Sequence, residues 1–300
     1  MFFRRLLVAV TLIIGLVGTF EASAKTLVLG SVSDNIKKHL ARFQPLAEYL
    51  KVELSPEGIT DVQITVLPSS DAMAEGLRDG KIDLYFDSPL VAARVARLSN
   101  SEPFLRRWKR GIGSYHSVIV VPADSEIQTI DDLPGMRIAF QEPDSTSGFM
   151  LPAGLLRQEG LALRELPSRA ARPVAGEIGY IFTKDDKNTL AWLYKGWVDA
   201  AATDPEGFAE LDRAKPGHFR VIARSIDVPR QVVIRRRGID LDLATRIENA
   251  LTSMELTEFG RTTLRSFNKT TRFDEFPDGV EATFDPIYDL LDQLAAQGVI

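Results

Sequence analysis

Three consecutive hydroxyl side chains, Ser145, Thr146 and Ser147, are the residues whose types and spacing most directly indicate chemistry. The apolar run 136–140 before them predicts a buried strand, and the pattern of 149–158 after them predicts a helix. The first N–H groups of a helix lack intrahelical partners and carry partial positive charge. Together with three hydroxyl donors, such a turn is suited to hold an oxyanion, for example a phosphoryl group or a carboxylate.

The same turn has a structural interpretation. Serine and threonine are ordinary helix N-caps, and a single one would be enough to cap this helix. Two similar turns follow other predicted strands, one with Ser69 and Ser70 and one with Asp87 and Ser88. All four residues are therefore candidates for ligand contact or for capping.

The order of predicted elements organises these turns. The predicted strands are 26–30, 61–67, 82–86, 115–121, 136–140, 178–182, 198–202, 221–223 and 232–234. The predicted helices are 35–50, 72–78, one that begins at Pro89 and carries Val91, Val95 and Leu98 on its inner face, 129–133, 149–158, 187–194, 241–254, 258–267 and 287–296. Alternating strands and helices predict open, mostly parallel α/β sheets. Ligands of such sheets bind beyond the carboxyl ends of the strands.

Two such series predict two lobes that face each other across a ligand cleft. We expect the first lobe to comprise residues 25–117 and 232–300, and the second to comprise 118–231. The β-rich run 115–121 is then a candidate strand that crosses between the lobes.

The beginning of the chain has the pattern of an export signal. Arg4 and Arg5 precede an apolar run at 6–20, and the small residues at 22–24 predict cleavage before Lys25. A membrane anchor is the alternative, but the run is shorter than the ~20 residues that a spanning helix needs. The chain has no cysteine, which excludes both disulfides and lipid attachment at a cysteine.

The charge of the chain limits its partners. The formal net charge is −5, and removing the signal segment, with its two arginines and one glutamate, leaves −6. An acidic chain is a poor partner for nucleic acid. No second apolar run reaches spanning length, so we expect a soluble exported protein located in the periplasm.

Several motifs together resemble a known family. The string D-S-T-S-G-F-x-x-P at 144–152, with the runs 117–121, 131–133 and 198–201, resembles the phosphonate/phosphite-binding proteins of bacterial ABC importers over essentially the whole mature chain. The resemblance implies a type II periplasmic binding protein, with two α/β lobes joined by two crossing strands. It also implies a small anionic ligand, a membrane permease as partner, and a monomer without catalytic residues, cofactor or metal.

The resemblance also implies which residues contact the ligand. The anion cradle falls on the three hydroxyls at 145–147, and an acidic residue that meets a ligand amine falls on Glu206. At three further positions this sequence departs from the family. Asp87 stands near the position of a tyrosine that contacts the ligand, Asp186 near that of a histidine, and Gln231 near that of a further acidic residue. The carboxylates of Asp87 and Asp186 disfavour a dianion in the pocket. The exceptions are that they turn away, that the ligand carries cationic groups, or that a metal or Arg230 balances their charge. Capping and the helix dipole are structural alternatives for the acidic residues.

Other functions have less support in the sequence. His39 and His218 are expected at the surface, and His116 at the border of the cleft, so no Ser-His-Asp arrangement is evident. No P-loop or metal motif of recognised spacing occurs. A sensor subunit that reports to a membrane signalling protein is one alternative. An enzyme on the same scaffold, with Asp185 or Asp186 as base, is another.

Overall fold

The computed structural model describes residues 25–300, so the predicted signal segment and its cleavage site lie outside the described residues. The strands are β1 (Lys25–Val32), β2 (Ile59–Leu67), β3 (Leu84–Asp87), β4 (Glu102–Lys109), β5 (Ser114–Tyr115), β6 (Val118–Pro122), β7 (Arg137–Phe140), β8 (Ala162–Glu165), β9 (Glu177–Phe182), β10 (Ala200–Thr203), β11 (Phe219–Arg224), β12 (Val228–Pro229), β13 (Val232–Arg235) and β14 (Thr270–Asp274). The α-helices are α1 (Ile36–Glu53), α2 (Ser70–Arg78), α3 (Pro89–Ser99), α4 (Leu151–Gln158), α5 (Asp186–Tyr194), α6 (Pro205–Ala214), α7 (Leu241–Thr252), α8 (Glu258–Ser266) and α9 (Val280–Ala296). Within 25–300, no helix combines the length and apolar character needed to cross a membrane.

Two six-stranded sheets form the molecule, with strand orders β14-β4-β13-β3-β1-β2 and β11-β6-β10-β7-β9-β8. In the second sheet β7 to β10 pair in parallel, as the alternating pattern predicts, and β6 and β11 complete it in antiparallel fashion. In the first sheet only β2, β1 and β3 are parallel, because β13, β4 and β14 add antiparallel pairs. Neither β4 nor β14 was predicted from the sequence. The two predicted lobe boundaries separate the strands of the first sheet from those of the second. We keep those boundaries as a proposal.

The crossing between the sheets is a short antiparallel pair of β5 and β12. The predicted continuous strand 115–121 is interrupted after Tyr115, because the chain changes sheets there. Ser117 fixes this bend. Its N–H donates to Ser225 Oγ at 2.9 Å, and its hydroxyl donates to the carbonyl of Ser147 at 2.6 Å. The bend is thereby tied directly to the hydroxyl-rich turn.

Helix α9 packs against both lobes. One hydrophobic cluster contains α3 from the first lobe, the apolar residues of α4 from the second, and the inner face of α9. Gly154 of α4 is the point of close approach, because a Cβ atom there would lie 2.1 Å from Leu290 Cδ1 of α9. A second cluster under the first sheet joins α1, α7 and α8. Helix α9 is therefore common to the packing of both lobes, and the pair of β5 and β12 connects them.

The contact between α4 and α9 predicts the effect of one substitution. Gly154→Val should lower the free energy of unfolding by about 1–3 kcal/mol, because the added side chain overpacks Leu290. Thermal and urea unfolding measure the change, with Ala296→Val on the exposed end of α9 as control. Equal stability of Gly154→Val and the wild type would show that the two helices do not pack closely.

Candidate functional site: the cleft between the lobes

A cavity of about 240 Å³ lies between the lobes. The first lobe contributes the end of β4 and the residue after it, the crossing segment contributes Arg230, and the second lobe contributes the beginnings of α5 and α6. The lining residues are Lys109, Arg110, Asp186, Lys187, Leu190, Thr203, Asp204, Glu206, Gly207, Glu210 and Arg230. The cavity thus lies beyond the carboxyl end of β10, where the fold predicts a ligand.

Two cations of β4 stand two residues apart and therefore on the same side of the strand. Arg107 is only 3% exposed, and its N–H donates to the carbonyl of Gln231 at 2.9 Å. Its guanidinium donates to Gln231 Oε1 and lies 4.9 Å from the ring centroid of Phe267, while Nε has no partner among the described residues. Burial lowers the pKa of Arg107 to about 10; Asp87 opposes this shift and Arg230 adds to it.

Lys109 is a partly buried cation surrounded by other cations. Burial lowers the pKa of its ammonium group to about 8, and repulsion from Arg230, Arg107, Arg110 and Arg42 contributes to that shift. Among the described residues, no carboxylate forms an ion pair with Lys109 within 4.0 Å. Where neighbouring cations repel one another enough to lower the pKa of one of them, the binding of an anion is favoured, because the anion relieves the repulsion.

Arg230 connects this cation group to the hydroxyl-rich turn. Its Nη2 lies 3.5 Å from Asp204 Oδ2, and its Cζ lies 4.3 Å from the ring centroid of Tyr115. Burial raises the pKa of the Tyr115 hydroxyl, and Arg230 and the side chains of Ser147 and Thr146 oppose that shift. Tyr115 therefore lies between Arg230 and the turn.

The hydroxyls of the turn have different roles. Ser145 Oγ accepts from Gly148 N at 3.0 Å and donates to Gln141 Oε1 at 2.6 Å, so it caps the turn. The turn is a π-helical segment, Thr146–Met150, and α4 begins only at Leu151, later than predicted. Thr146 is 2% exposed, and its Oγ1 forms no hydrogen bond of good geometry with any of the described residues, although its interaction with the Tyr115 hydroxyl opposes the rise in the pKa of Tyr115. Such an unpaired buried hydroxyl is costly unless a ligand satisfies it.

The acidic side of the cavity comes from the second lobe. Burial raises the pKa of Asp186, and Asp204 adds to the shift while Arg230 opposes it. Asp204 Oδ1 caps α6 by accepting from Gly207 N at 2.8 Å. Glu206 Oε1 pairs with Arg110 Nη1 at 2.5 Å, and this ion pair joins the second lobe to the first.

The remaining predicted residues occupy two other places. Asp87 accepts from the Tyr85 hydroxyl at 2.5 Å and from Ser88 N at 2.6 Å, and burial raises the pKa of its carboxyl despite these bonds and nearby Arg107. Gln231 holds Arg107 as described above. Ser69 caps α2 by accepting from Ala72 N at 3.2 Å, and Ser70 is buried as the first residue of that helix. Asp87 and Gln231 thus interact with Arg107 and do not line the cavity, whereas the side chain of Ser69 caps α2.

The three histidines have different surroundings from one another. His39 is half-buried rather than fully at the surface, because its Nδ1 lies 2.8 Å from Ser31 Oγ. His116 pairs with exposed Asp227 at 3.0 Å, beside the crossing segment. His218 Nδ1 lies 3.0 Å from the carbonyl of Pro216. Within residues 25–300, no three side chains of His, Asp or Glu are grouped so as to hold a metal ion.

Sequence reasoning missed Arg107, Lys109 and Tyr85. The segment 102–109 holds three basic residues between apolar and aromatic ones, which obscures the period of two that indicates a strand. The alternation of Leu105, Arg107 and Lys109 on one side of the strand was the available signal.

Comparison with known proteins places the fold in context. Residues 30–278 match the family model described as ABC transporter, phosphonate, periplasmic substrate-binding protein. The chain belongs to this family. The phosphate-import protein PhnD of Mycolicibacterium smegmatis is 28% identical over 225 residues, which cover 69% of this chain and 65% of that relative.

Solved structures of similar fold bind different ligands. XAC2383 from Xanthomonas citri bound to ATP has a TM-score of 0.82 and 25% identity, covering 91% of this chain and 98% of that one. PhnD1 from Prochlorococcus marinus in complex with methylphosphonate has a TM-score of 0.64 and 17% identity, covering 92% and 100%. The fold is that of the type II periplasmic binding proteins, as the sequence motifs implied.

The unpaired hydroxyl of Thr146 gives a prediction for the free protein. Thr146→Val should leave the free energy of unfolding unchanged or raise it by up to about 1 kcal/mol, because it removes an unsatisfied buried group. Thr189→Val is the matched control. Its hydroxyl donates to the Asp185 carbonyl at 3.0 Å, so its loss should cost about 1–3 kcal/mol. Urea unfolding compares the two, and an equal loss in both would show that Thr146 Oγ1 is satisfied within the protein.

Proposed function

We propose that the protein is the periplasmic receptor of an ABC importer and that it binds a small phosphorus oxyanion, namely phosphate, phosphite or an alkylphosphonate, between its lobes. The observation that carries the proposal is the pair of Lys109 and Arg230 at one cavity, with buried Arg107 close to both, where burial and repulsion from the arginines lower the pKa of Lys109. Structural ion pairs normally place a carboxylate against each buried cation. An incompletely paired group next to a cavity is suited to an external anion.

The hydroxyl-rich turn supplies the complementary donors. We propose that Thr146 Oγ1 and the Ser147 hydroxyl, which adjoin Tyr115, donate to the bound anion, while Ser145 preserves the shape of the turn. Arg107 is oriented by Gln231, Asp87 and Ser88. The second lobe borders the ligand with Asp186 and Glu206. Ser69 and Ser70, at the start of α2, remain proposed ligand contacts from the first lobe.

The cavity limits the size of the ligand. Its volume of about 240 Å³ is below the ~300 Å³ at which sites for drug-sized ligands begin. The import of phosphate by one relative and the methylphosphonate bound by a structural neighbour fit this size. The ATP bound by XAC2383 is larger, so ATP is a useful comparison in a binding test.

Closure of the lobes would connect binding with transport. The ion pair of Arg110 with Glu206 already joins the two lobes. A ligand that contacts both sides stabilises the closed form, because it binds that form more tightly than the open one. We propose that a monomer in this closed form delivers the anion to the membrane permease.

Calorimetry with phosphate, phosphite, methylphosphonate and ATP tests the proposed function. We expect at least one of the three small oxyanions to bind more tightly than ATP. Lys109→Met should weaken that binding at least about 10-fold, as expected for a lost charge-assisted hydrogen bond. Lys195→Met, an exposed change near Trp197, is the control and should bind as the wild type does. Absence of binding across the whole panel would contradict the proposal.

The pKa of Lys109 predicts how affinity depends on pH. A bound anion stabilises the ammonium form and raises its pKa above the value of about 8 in the free protein. Affinity should therefore be greatest below about pH 8, fall as the pH rises from the free pKa towards the liganded pKa, and level off above the liganded pKa. Calorimetry in buffers of different ionisation enthalpy should detect proton uptake near pH 8 in the wild type. Uptake that persists in Lys109→Met would assign the proton to another group.

A further inference from the structure

One surface of the second lobe lies at the edge of its sheet away from the cavity. The strands β7, β9 and β10 run parallel and begin together at this edge, whereas the cavity lies beyond the carboxyl end of β10. Three segments meet here, namely the start of β7, the loop 166–176 between β8 and β9, and the turn 195–199 between α5 and β10. Arg137 joins them, because its N–H donates to Asp199 Oδ2 at 2.8 Å and its Nη1 donates to the carbonyl of Arg169 at 3.1 Å.

Two tryptophans form the apolar part of this surface. Trp192 belongs to α5, and Trp197 lies in the turn that follows this helix. Gly196 has a φ of +65°, which reverses the chain at the end of α5, and the N–H of Trp197 donates to the carbonyl of Trp192 at 2.9 Å. The two ring centroids lie 6.1 Å apart with the ring planes at 68°. Trp197 keeps 36% of its surface exposed, so a large aromatic side chain is held in a fixed orientation towards solvent.

Three cations accompany the exposed indole. Arg169 Cζ lies 3.9 Å from the ring centroid of Trp197, and Lys195 Nζ lies 4.6 Å from it, which are distances of cation–π contacts. Arg172 follows Arg169 on the same exposed loop. Among residues 25–300, none of these three cations has a carboxylate oxygen within 4.0 Å of its charged nitrogens. Their charges are therefore available to an external anionic group.

The charge of this surface, which we call the Trp197 surface, is opposite to that of the molecule. The formal net charge of the chain is −5, so most of the protein is repelled by an anionic layer, and the unpaired cations beside Trp197 provide local complementarity to one. Tryptophan, arginine and lysine are also the side chains that settle at the boundary of a bilayer. There the indole enters the less polar side of the boundary and the cations meet anionic headgroups.

An acidic protein is the alternative occupant of the Trp197 surface. A stable interface between two proteins takes about 20–30 residues on each side, and the Trp197 surface is much smaller. Reversible adsorption to a bilayer needs less contact, because each basic residue near an anionic leaflet strengthens it about 5-fold. An aromatic side chain in the headgroup layer adds to this attraction. The size and composition of the surface therefore favour lipid.

We propose that the Trp197 surface attaches the protein reversibly to a bilayer that contains anionic phospholipid. The indole of Trp197 enters the headgroup layer, and Arg169, Arg172 and Lys195 contact lipid phosphates. Because the surface lies at the edge of the sheet away from the cavity, the attached protein keeps its cavity open to solution. In the function proposed above, attachment confines the receptor to the membrane that holds the permease and leaves ligand entry free.

Co-sedimentation with lipid vesicles tests this inference. The protein is purified after export, and mass spectrometry verifies that the apolar run at 6–20 has been removed, since that run would itself bind lipid. Vesicles of phosphatidylcholine are compared with vesicles made partly of the anionic lipid phosphatidylglycerol. At low salt we expect partitioning to the anionic vesicles to exceed that to the neutral ones at least about 10-fold. In about 1 M salt, where the Debye length is about 3 Å, the difference should disappear.

Variants with a matched control locate the attachment. Arg169→Glu combined with Lys195→Glu should lower partitioning to anionic vesicles at least about 10-fold, because two attractive charges become repulsive. Trp197→Ala should lower it several-fold, because the indole is lost from the headgroup layer. Lys37→Glu combined with Lys38→Glu changes the net charge by the same amount at the exposed start of α1 and should partition as the wild type does. Thermal unfolding verifies that each variant is folded, and Lys195→Glu alone replaces a double variant that is not.

Several results would overturn the inference. These are absence of binding to anionic vesicles at low salt, equal binding to neutral and anionic vesicles, and an equal loss in both double variants. Binding to native membranes but not to vesicles of their extracted lipids would show that the partner is a membrane protein, and the inference would be wrong.

Oxyanion calorimetry separates this inference from the proposed function. The double variant at 169 and 195 should bind an oxyanion as the wild type does, because both changes lie away from the cavity. The affinity of the wild type should also be the same with and without anionic vesicles. An affinity that falls when vesicles are added would show that attachment covers the cavity, contrary to the inference.

Discussion

Repulsion among cations that meet where the lobes join is the constraint on which the rest of the site depends. Arg107 and Lys109 share one side of β4, and Arg230 lies between β12 and β13, the strand that pairs with β4. The pairing of the strands therefore fixes these charges next to one another, whatever their mutual energy. Desolvation strengthens the repulsion, because buried charges are poorly screened by solvent. In the function proposed above, an anion in the cavity offsets the cost of this arrangement.

The second lobe brings the opposite charge to the same cavity. Asp204 and Glu206 belong to the start of α6, where the helix dipole favours carboxylates and Asp204 also serves as cap. Capping uses only one oxygen of this carboxylate, since Oδ1 accepts from Gly207 N and Oδ2 lies 3.5 Å from Arg230 Nη2. The ion pair of Arg110 with Glu206 shows how complementary charges on the two lobes favour closure.

The sequence predicted the α/β architecture because buried parallel strands such as β1 and β10 are apolar runs followed by polar turns. It did not predict β4, in which the adjacent Arg106 and Arg107 obscure the period of two and the strand is paired at long range with β13. The turn at Ser145 was recognised from its hydroxyls. Its π-helical geometry and the unpaired Oγ1 of Thr146 depend on Gln141, Ser117 and Tyr115, whose proximity only the folded chain establishes.

The most direct measurement of the central claim is the titration of the Lys109 ammonium group by NMR, with Lys109→Arg used for assignment. The account predicts a pKa of about 8 in the free protein and a clear rise when phosphate or methylphosphonate is bound. An ordinary lysine pKa of about 10.4 that is the same with and without oxyanion would contradict it.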